Sequence, residues 1–335
     1  MEWIEYHALV GVRSFYLYVP PDDTISQHEA NLTYALLAPY LSPDCSSCPS
    51  VQLLRQDPPR PGFSPQAHAY EECLREHAEE HEWLLFIDID EFVAFPAGDS
   101  LGNVLQATGP QTEGALCVGW TTMAPTPPYT TSELQRPADT LLSELMDHSF
   151  DFKRVGKLAV RTARRSGLVE HCRFDRRHLP SAQRQEGTIF VHNCFSGAPV
   201  PVTSAAGVAT DNGHCRMDER AFAEANRLIT LYHFFTRTCH EWVHELVPKR
   251  VEWNQNRGNL MPQHSPRYRS DYCEGLAEPL IPAPHLQRFT KALRERVLRH
   301  PMWGQDIDFL LSSSASTLVS TLVSTTFVCI FMVLN

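Results

Sequence analysis

Apolar and polar positions alternate in a regular order over the first 95 residues. Trp3, Tyr6, His7 and Val10 share one helical face, and Gly11 is a natural stop after them. Apolar runs at 15–19, 51–54 and from residue 83 onward predict buried strands, and the segments from Asp23 or Thr24 to about Ala38 and from Ser64-Pro65 onward predict helices. This alternation of helices and strands predicts an α/β fold with a doubly wound, mostly parallel central sheet flanked by helices.

The pattern is weaker in the rest of the chain. A short helix is predicted at 101–107 and strands at 114–120 and 157–160, and a β-rich run at 227–235 precedes a helical stretch. The segment 178–213 has no clear period of apolar residues and is predicted to form loops.

The last apolar run of the first part contains three acids in four positions, within the sequence WLLFIDIDEFVAF at 83–95. Buried carboxylates are costly unless they are paired or bound to a metal. Asp88, Asp90 and Glu91 lie at the carboxyl end of a predicted strand, which is where open α/β sheets bind ligands.

The spacing of these acids suggests a chemistry. In an extended strand Asp88 and Asp90 project from the same side, and two such carboxylates suit Mg²⁺ or Mn²⁺, which can bridge a diphosphate. Glu91 would point the other way, or inward if the strand ends at Asp90. An acidic edge strand or turn without a metal is the alternative.

Charge and cysteine content narrow the class of protein. The net charge of −10 comes from 39 acidic and 29 basic residues among 335, which argues against a nucleic-acid-binding protein because phosphate neutralisation needs a basic surface. There are 10 cysteines. Cys45-Ser-Ser-Cys48 is the one close pair, and a local disulfide or two free thiols are favoured over a metal or redox site. Asn31-Leu32-Thr33 matches a glycosylation sequon.

The segment 309–335 contains no charged residue and is rich in serine and threonine. It is long enough to cross a bilayer, which takes about 20 residues. A membrane segment and a disordered end both remain open.

Two stretches of the chain resemble a known family. EWIEYHALVGVRSFYLY, followed by a helix with a cysteine and then WLLFIDIDEFV, is similar to the glycosyltransferases of family 92. Looser matches follow at Gly119-Trp120, Lys157, His171 and the late block LYHFFTRTCHEWV, so that the resemblance spans 2–253.

This resemblance implies a GT-A-like fold and a metal-dependent inverting glycosyltransferase. The donor would be a nucleotide sugar, with galactose from UDP-galactose favoured, and the acceptor a glycan. Asp88 and Asp90 would hold Mn²⁺ or Mg²⁺ and the donor diphosphate, with His233 as a late metal or diphosphate contact. Lys157, His171 and Trp120 would line the pocket for the donor.

Each of these residues also has a structural alternative. His233 lies between aromatics and could be a core histidine, Lys157 could be a solvated strand end, and Trp120 could fill the core. Inversion needs a carboxylate base near the acceptor hydroxyl. Glu91, Glu170 and Asp211 are candidates, and the sequence does not choose among them.

The resemblance also implies an organisation of the chain. We expect a glycosyltransferase domain at 1–255, a C-terminal extension at 256–308 and the uncharged tail at 309–335. Family members usually carry an N-terminal anchor, and a strand with an Asn-Glu pair before the first helix, so we expect the chain as written to lack both. A membrane location in the Golgi or secretory pathway follows from the resemblance.

Two other functions remain as alternatives. An inactive, shortened transferase could bind a glycan or a partner without catalysis. A phosphatase with an aspartyl nucleophile also uses a DxD sequence at a strand end. By family resemblance, such enzymes have a small Thr or Val after the second acid, where this chain has Glu91-Phe92.

Overall fold

The computed structural model describes the helices, the strands and several short connections of the chain. The described residues are 2–19, 27–41, 48–57, 65–98, 100–108, 115–124, 148–150, 156–161, 202–207, 219–234, 281–282, 284–299 and 327–332.

The described part contains six α-helices, one short 3₁₀ helix and eleven strands. The helices are α1 (Glu2–Leu9), α2 (Gln27–Leu41), α3 (Pro65–His77), α4 (Leu101–Thr108), α5 (Glu219–Leu228) and α6 (Pro284–Arg299), and the 3₁₀ helix is Ala78–Glu80. The strands are β1 (Ser14–Val19), β2 (Ser50–Arg55), β3 (Trp83–Asp88), β4 (Glu91–Ala94), β5 (Ala115–Ala124), β6 (His148–Phe150), β7 (Gly156–Arg161), β8 (Val202–Ser204), β9 (Thr230–His233), β10 (Ile281–Pro282) and β11 (Phe327–Met332).

The elements predicted before residue 95 are largely confirmed. α1 ends two residues before Gly11, whose φ of 106° is accessible to glycine at little cost. α3 begins at Pro65, as the Ser-Pro sequence predicted, because proline is tolerated in the first turn of a helix. β1, β2 and β3 lie within one or two residues of their predicted positions.

The eleven described strands form one mixed sheet. Its main order is β10-β6-β5-β7-β3-β11-β1-β2, with β8 and β9 also paired to β5 and β4 paired to β9. Among the described strands, β1–β2, β5–β8 and β5–β9 are parallel and the other pairs are antiparallel. An α/β fold is therefore present, but the prediction of a mostly parallel sheet is wrong for these strands.

Among the described strands, β7 or β11 takes part in four of the seven antiparallel pairs. β7 lies antiparallel beside β3, and β11 lies antiparallel between β1 and β3. Periodicity within a strand carries no information about the direction of its neighbour, so this could not be derived from the pattern of apolar residues.

β11 comes from the uncharged tail. Cys329 lies opposite Tyr16 of β1 on one side and opposite Phe86 of β3 on the other. Neither of the two alternatives for 309–335, a membrane segment or a disordered end, applies to Phe327–Met332, which forms a strand of the sheet. The rest of that segment lies outside the described residues. None of the described helices is long and apolar enough to cross a membrane.

The core lies on both sides of the sheet. β3 is buried from Trp83 to Ile87, as expected for a strand that is covered on both faces. Cys48, Cys73 and Cys117 are disulfide-bonded. The free-thiol and metal interpretations are thus wrong for Cys48, while Cys45 lies outside the described residues.

Candidate functional site

The acidic sequence forms a tight turn between two strands. β3 ends at Asp88, Ile89 and Asp90 form the turn, and β4 begins at Glu91. The expectation that Asp88 and Asp90 lie in one extended strand is therefore wrong, and strand alternation does not determine where their side chains point. Both aspartates remain partly exposed at the carboxyl end of β3.

Glu91 holds this turn together. Its side chain is completely buried, and its carboxylate accepts a 2.8 Å hydrogen bond from the main-chain N–H of Asp88. A hydrogen bond to a charged acceptor is stronger than one between neutral groups. The third acid of the motif therefore acts on the backbone of the first.

The carboxylate of Asp88 is held by α3. Its Oδ1 accepts hydrogen bonds from the side-chain amide of Gln66 and, at 3.2 Å, from the hydroxyl of Tyr70. Burial, together with the negative charges of Asp88 and Glu91, raises the pKa of Tyr70 well above its ordinary value, so Tyr70 stays a neutral donor.

These two partners of Asp88 were not identified from the sequence. Gln66 and Tyr70 are four residues apart and therefore share one face of α3. Polar side chains at this spacing, on a helix that leads directly to the acidic strand, are the signal that could have indicated them.

Asp90 is held by the strand that follows α5. Its main-chain oxygen accepts a 2.8 Å hydrogen bond from the N–H of Phe234, and its carboxylate oxygen Oδ2 lies 3.6 Å from Nε2 of His233. The antiparallel pairing of β4 with β9 places Glu91 opposite His233. The structure thus brings the late histidine next to the acidic turn.

The charge of His233 responds to this position. Burial alone would lower the pKa of His233, but the adjacent Asp90 and the more distant charges of Glu91 and Asp88 raise it above its ordinary value. The negative charges of the acidic turn therefore favour the protonated form of His233.

Trp120 is on β5, and its ring lies beside that of His233 on β9. The centroids of the two rings are 4.8 Å apart, with 35° between their planes, and the indole is half-buried. α5 packs closely against the preceding residue: a Cβ atom on Gly119 would lie 2.8 Å from Cε2 of Phe222 and would also overlap Asn226. A contact between Trp120 and the donor stays a prediction.

The remaining candidates are only partly covered by the structure. Lys157 is the second residue of β7 and pairs with Val118 of β5, but its side chain is outside the described part. His171, Glu170 and Asp211 lie outside the described residues. Their predicted roles therefore stay predictions.

The donor atoms at the turn suit a metal that arrives with a ligand. Within the described part of the chain, no three His, Cys, Asp or Glu side chains are arranged to hold a metal ion. Mg²⁺ is often bound by one or two carboxylates together with substrate phosphates, without a cage made entirely by the protein. The partly exposed oxygens of Asp88 and Asp90 fit this mode of binding.

The model of the family described as glycosyltransferase family 92 matches residues 1–172, just over half of the chain. The match includes the acidic turn, Trp120, Lys157 and His171, whereas His233 and Asp211 lie beyond it. No curated protein matches the chain. The chain belongs to glycosyltransferase family 92.

Proposed function

We propose that this glycosyltransferase is metal-dependent and transfers galactose from UDP-galactose to a glycan acceptor with inversion at the sugar. Membership of the family supports glycosyl transfer from a nucleotide sugar to a glycan. The observation that carries the finer proposal is the acidic turn, where two partly exposed aspartates lie at the carboxyl end of β3 and each is held by a different element.

Asp88 and Asp90 would bind the donor diphosphate through Mn²⁺ or Mg²⁺. A metal held there would supply positive charge for the diphosphate leaving group. Gln66 and Tyr70 restrict the orientation of the Asp88 carboxylate, while Phe234 holds the main chain of Asp90 and His233 lies beside its carboxylate. Because these carboxylates are already oriented, the site needs little reorganisation during the reaction.

His233 is the proposed late contact of the metal or of the diphosphate. Its imidazole can ligate a metal when neutral, or donate a hydrogen bond to a phosphate oxygen when protonated. Trp120, whose ring lies against that of His233, together with Lys157 and His171, is proposed to contact the donor.

The base that activates the acceptor hydroxyl is proposed to be a residue other than Glu91. The burial of Glu91 and its hydrogen bond to Asp88 support a structural role for it. Asp211 and Glu170 are the remaining candidates, since an inverting reaction needs a carboxylate near the acceptor.

We also propose a GT-A-like arrangement and a location in the Golgi or secretory pathway, at a membrane. The first rests on family membership and on the acidic turn after β3. Disulfides at Cys48, Cys73 and Cys117 support the second, because such bonds persist in oxidising compartments.

Titration calorimetry with UDP tests this proposal. The intact chain should bind UDP in the presence of Mn²⁺ and much more weakly without it, and Asp90→Asn should abolish the effect of Mn²⁺. Glu224→Gln is a matched control, because it removes the charge of an exposed acid on α5 that pairs with Arg220. Binding of a glycan without UDP would instead identify a non-catalytic module, and phosphate release from a phosphomonoester would identify a phosphatase.

A further inference from the structure

Helix α1 is bonded to the strand that follows the acidic turn. Nε1–H of Trp3 donates a 2.7 Å hydrogen bond to the main-chain oxygen of Glu91, and the hydroxyl of Tyr6 donates a 2.7 Å hydrogen bond to that of Val93. The main-chain N–H of Val93 donates to Nε2 of His7 at 3.2 Å. Three side chains of one helix thus bind three main-chain atoms of β4.

The ring of His7 is fixed in one tautomer by these contacts. Because Nε2 accepts the hydrogen bond from Val93, the proton is on Nδ1, which lies 2.7 Å from the main-chain oxygen of Trp3. Burial, partly offset by this contact, lowers the pKa of His7 to about 3, so the ring is neutral at physiological pH.

The three side chains bind the edge of β4 to which a neighbouring strand would otherwise bind. β9 pairs with one edge of β4, and the groups bound by α1 are on the opposite edge. An unpaired edge leaves main-chain donors and acceptors without fixed partners. Binding both edges fixes β4 along its length, including Glu91, which in turn holds Asp88.

Helix α6 packs against α1. The ring of Phe289 lies 5.9 Å from that of Tyr6, and Nη1 of Arg296 lies 3.5 Å from a carboxylate oxygen of Glu5. α6 lies beyond residues 1–172, which the family model matches. A segment of the predicted C-terminal extension therefore reaches the acidic turn through α1 and β4.

We propose that Trp3, Tyr6 and His7 are positioning residues for the acidic turn, which they hold by binding the main chain of β4. The consequence for the ligand rests on the proposed function: loosening β4 displaces Glu91 and Asp90, and weakens binding of UDP with Mn²⁺. The loss would appear as a raised dissociation constant and a raised KM for UDP-galactose. A residue with a purely structural role would reduce the amount of folded protein and leave both constants unchanged.

Two tyrosine variants make a matched pair for the test. Tyr6→Phe removes the hydroxyl bound to β4, and Tyr40→Phe removes a hydroxyl that donates a 2.8 Å hydrogen bond to the side chain of Glu5, on the same helix as Tyr6. Both are buried tyrosines, and both variants lose one hydrogen bond to or from α1.

The readout is amide hydrogen exchange of the segment 88–94, measured together with UDP binding in Mn²⁺. Tyr6→Phe should speed exchange in this segment and weaken UDP binding by about threefold or more, as expected for the loss of one buried hydrogen bond. Tyr40→Phe should change neither. Trp3→Phe, which removes the donor to Glu91, should reproduce the effect of Tyr6→Phe and replaces it if that variant does not fold.

Equal exchange of 88–94 in the Tyr6→Phe, Trp3→Phe and original chains would overturn the proposal. Faster exchange with unchanged UDP binding would also overturn it, since β4 would then move without affecting the site. If the original chain does not bind UDP at all, the proposed function fails, and the exchange rates alone decide whether α1 positions the turn.

Discussion

The main-chain N–H of Asp88 donates a 2.8 Å hydrogen bond to the carboxylate of Glu91, which is completely buried. The acidic motif therefore contains two kinds of acid. Asp88 and Asp90 remain partly exposed and available to a ligand, whereas Glu91 closes the turn between β3 and β4 through this hydrogen bond. This division determines what each substitution should do.

Substitution of Glu91 should lower the stability of the fold and should not act directly on sugar transfer. Glu91→Ala removes the acceptor of the part-buried main-chain N–H of Asp88, which should lower the free energy of unfolding by about 1–3 kcal/mol. Glu91→Gln keeps an acceptor oxygen and should be the milder change. Urea denaturation measures both variants. A Glu91→Gln variant with normal stability and normal UDP binding but no transfer would contradict this assignment and identify Glu91 as the base.

Removal of the Tyr70 hydroxyl should weaken the site without unfolding it. Tyr70→Phe deletes a side-chain donor to Asp88 and leaves Gln66 in place, so binding of UDP with Mn²⁺ should weaken by about threefold to tenfold. Calorimetry measures the change. Tyr18→Phe is the control, because the buried Tyr18 hydroxyl makes no hydrogen bond within the described part of the chain. Equal effects of the two variants would exclude an orienting role for Tyr70.

The buried His7 should make stability depend on pH. Its pKa falls to about 3 in the folded chain from an ordinary 6.5, because burial disfavours the charged ring and its contact with the Trp3 carbonyl only partly opposes this. The unfolded chain therefore binds an extra proton below pH 6.5. The contribution of the neutral His7 to the free energy of unfolding is therefore complete above pH 6.5 and decreases on acidification toward pH 3.

The expected slope from His7 is about 1.4 kcal/mol of unfolding free energy per pH unit well below pH 6.5. Urea denaturation between pH 7 and pH 5 measures it, and His7→Gln provides the comparison because glutamine cannot titrate. A variant with the same pH dependence as the original chain would show that His7 does not remain neutral in the fold.

The tail strand should be required for the stability of the sheet. A chain shortened after Thr326 loses β11 and exposes the edges of β1 and β3, whereas a chain shortened after Met332 keeps the strand. We expect the first to aggregate or to unfold at a lower urea concentration, and the second to behave as the full chain does. Equal stability of the two shortened chains would be inconsistent with a central position for β11.

The sequence predicted local structure better than contacts between distant segments. The 3.6-residue spacing of Trp3, Tyr6, His7 and Val10 indicated α1, and the Ser-Pro sequence indicated the start of α3, because these signals depend only on nearby residues. The antiparallel position of β11 depends on a contact between residues at opposite ends of the chain, which periodicity cannot reveal.

The same distinction applies to the candidate site. The acidic motif after an apolar run correctly indicated the carboxyl end of β3, but the sequence left open whether the acids continue the strand or form a turn, and the structure has the turn at Ile89 and Asp90. Asp90 and His233 were both singled out from the sequence. Their proximity depends on the pairing of β4 with β9, which no local pattern specifies.

Transfer of galactose from UDP-galactose to glycan acceptors, measured across a range of Mn²⁺ concentrations, tests the central claim most directly. The full chain, Asp90→Asn and the charge-matched control Glu224→Gln would be compared. We predict turnover that requires Mn²⁺, is retained in Glu224→Gln and falls at least about a hundredfold in Asp90→Asn, a loss comparable to the removal of one electrostatic catalytic group. Equal turnover with and without Mn²⁺, or full activity in Asp90→Asn, would contradict a metal-dependent donor site at the acidic turn.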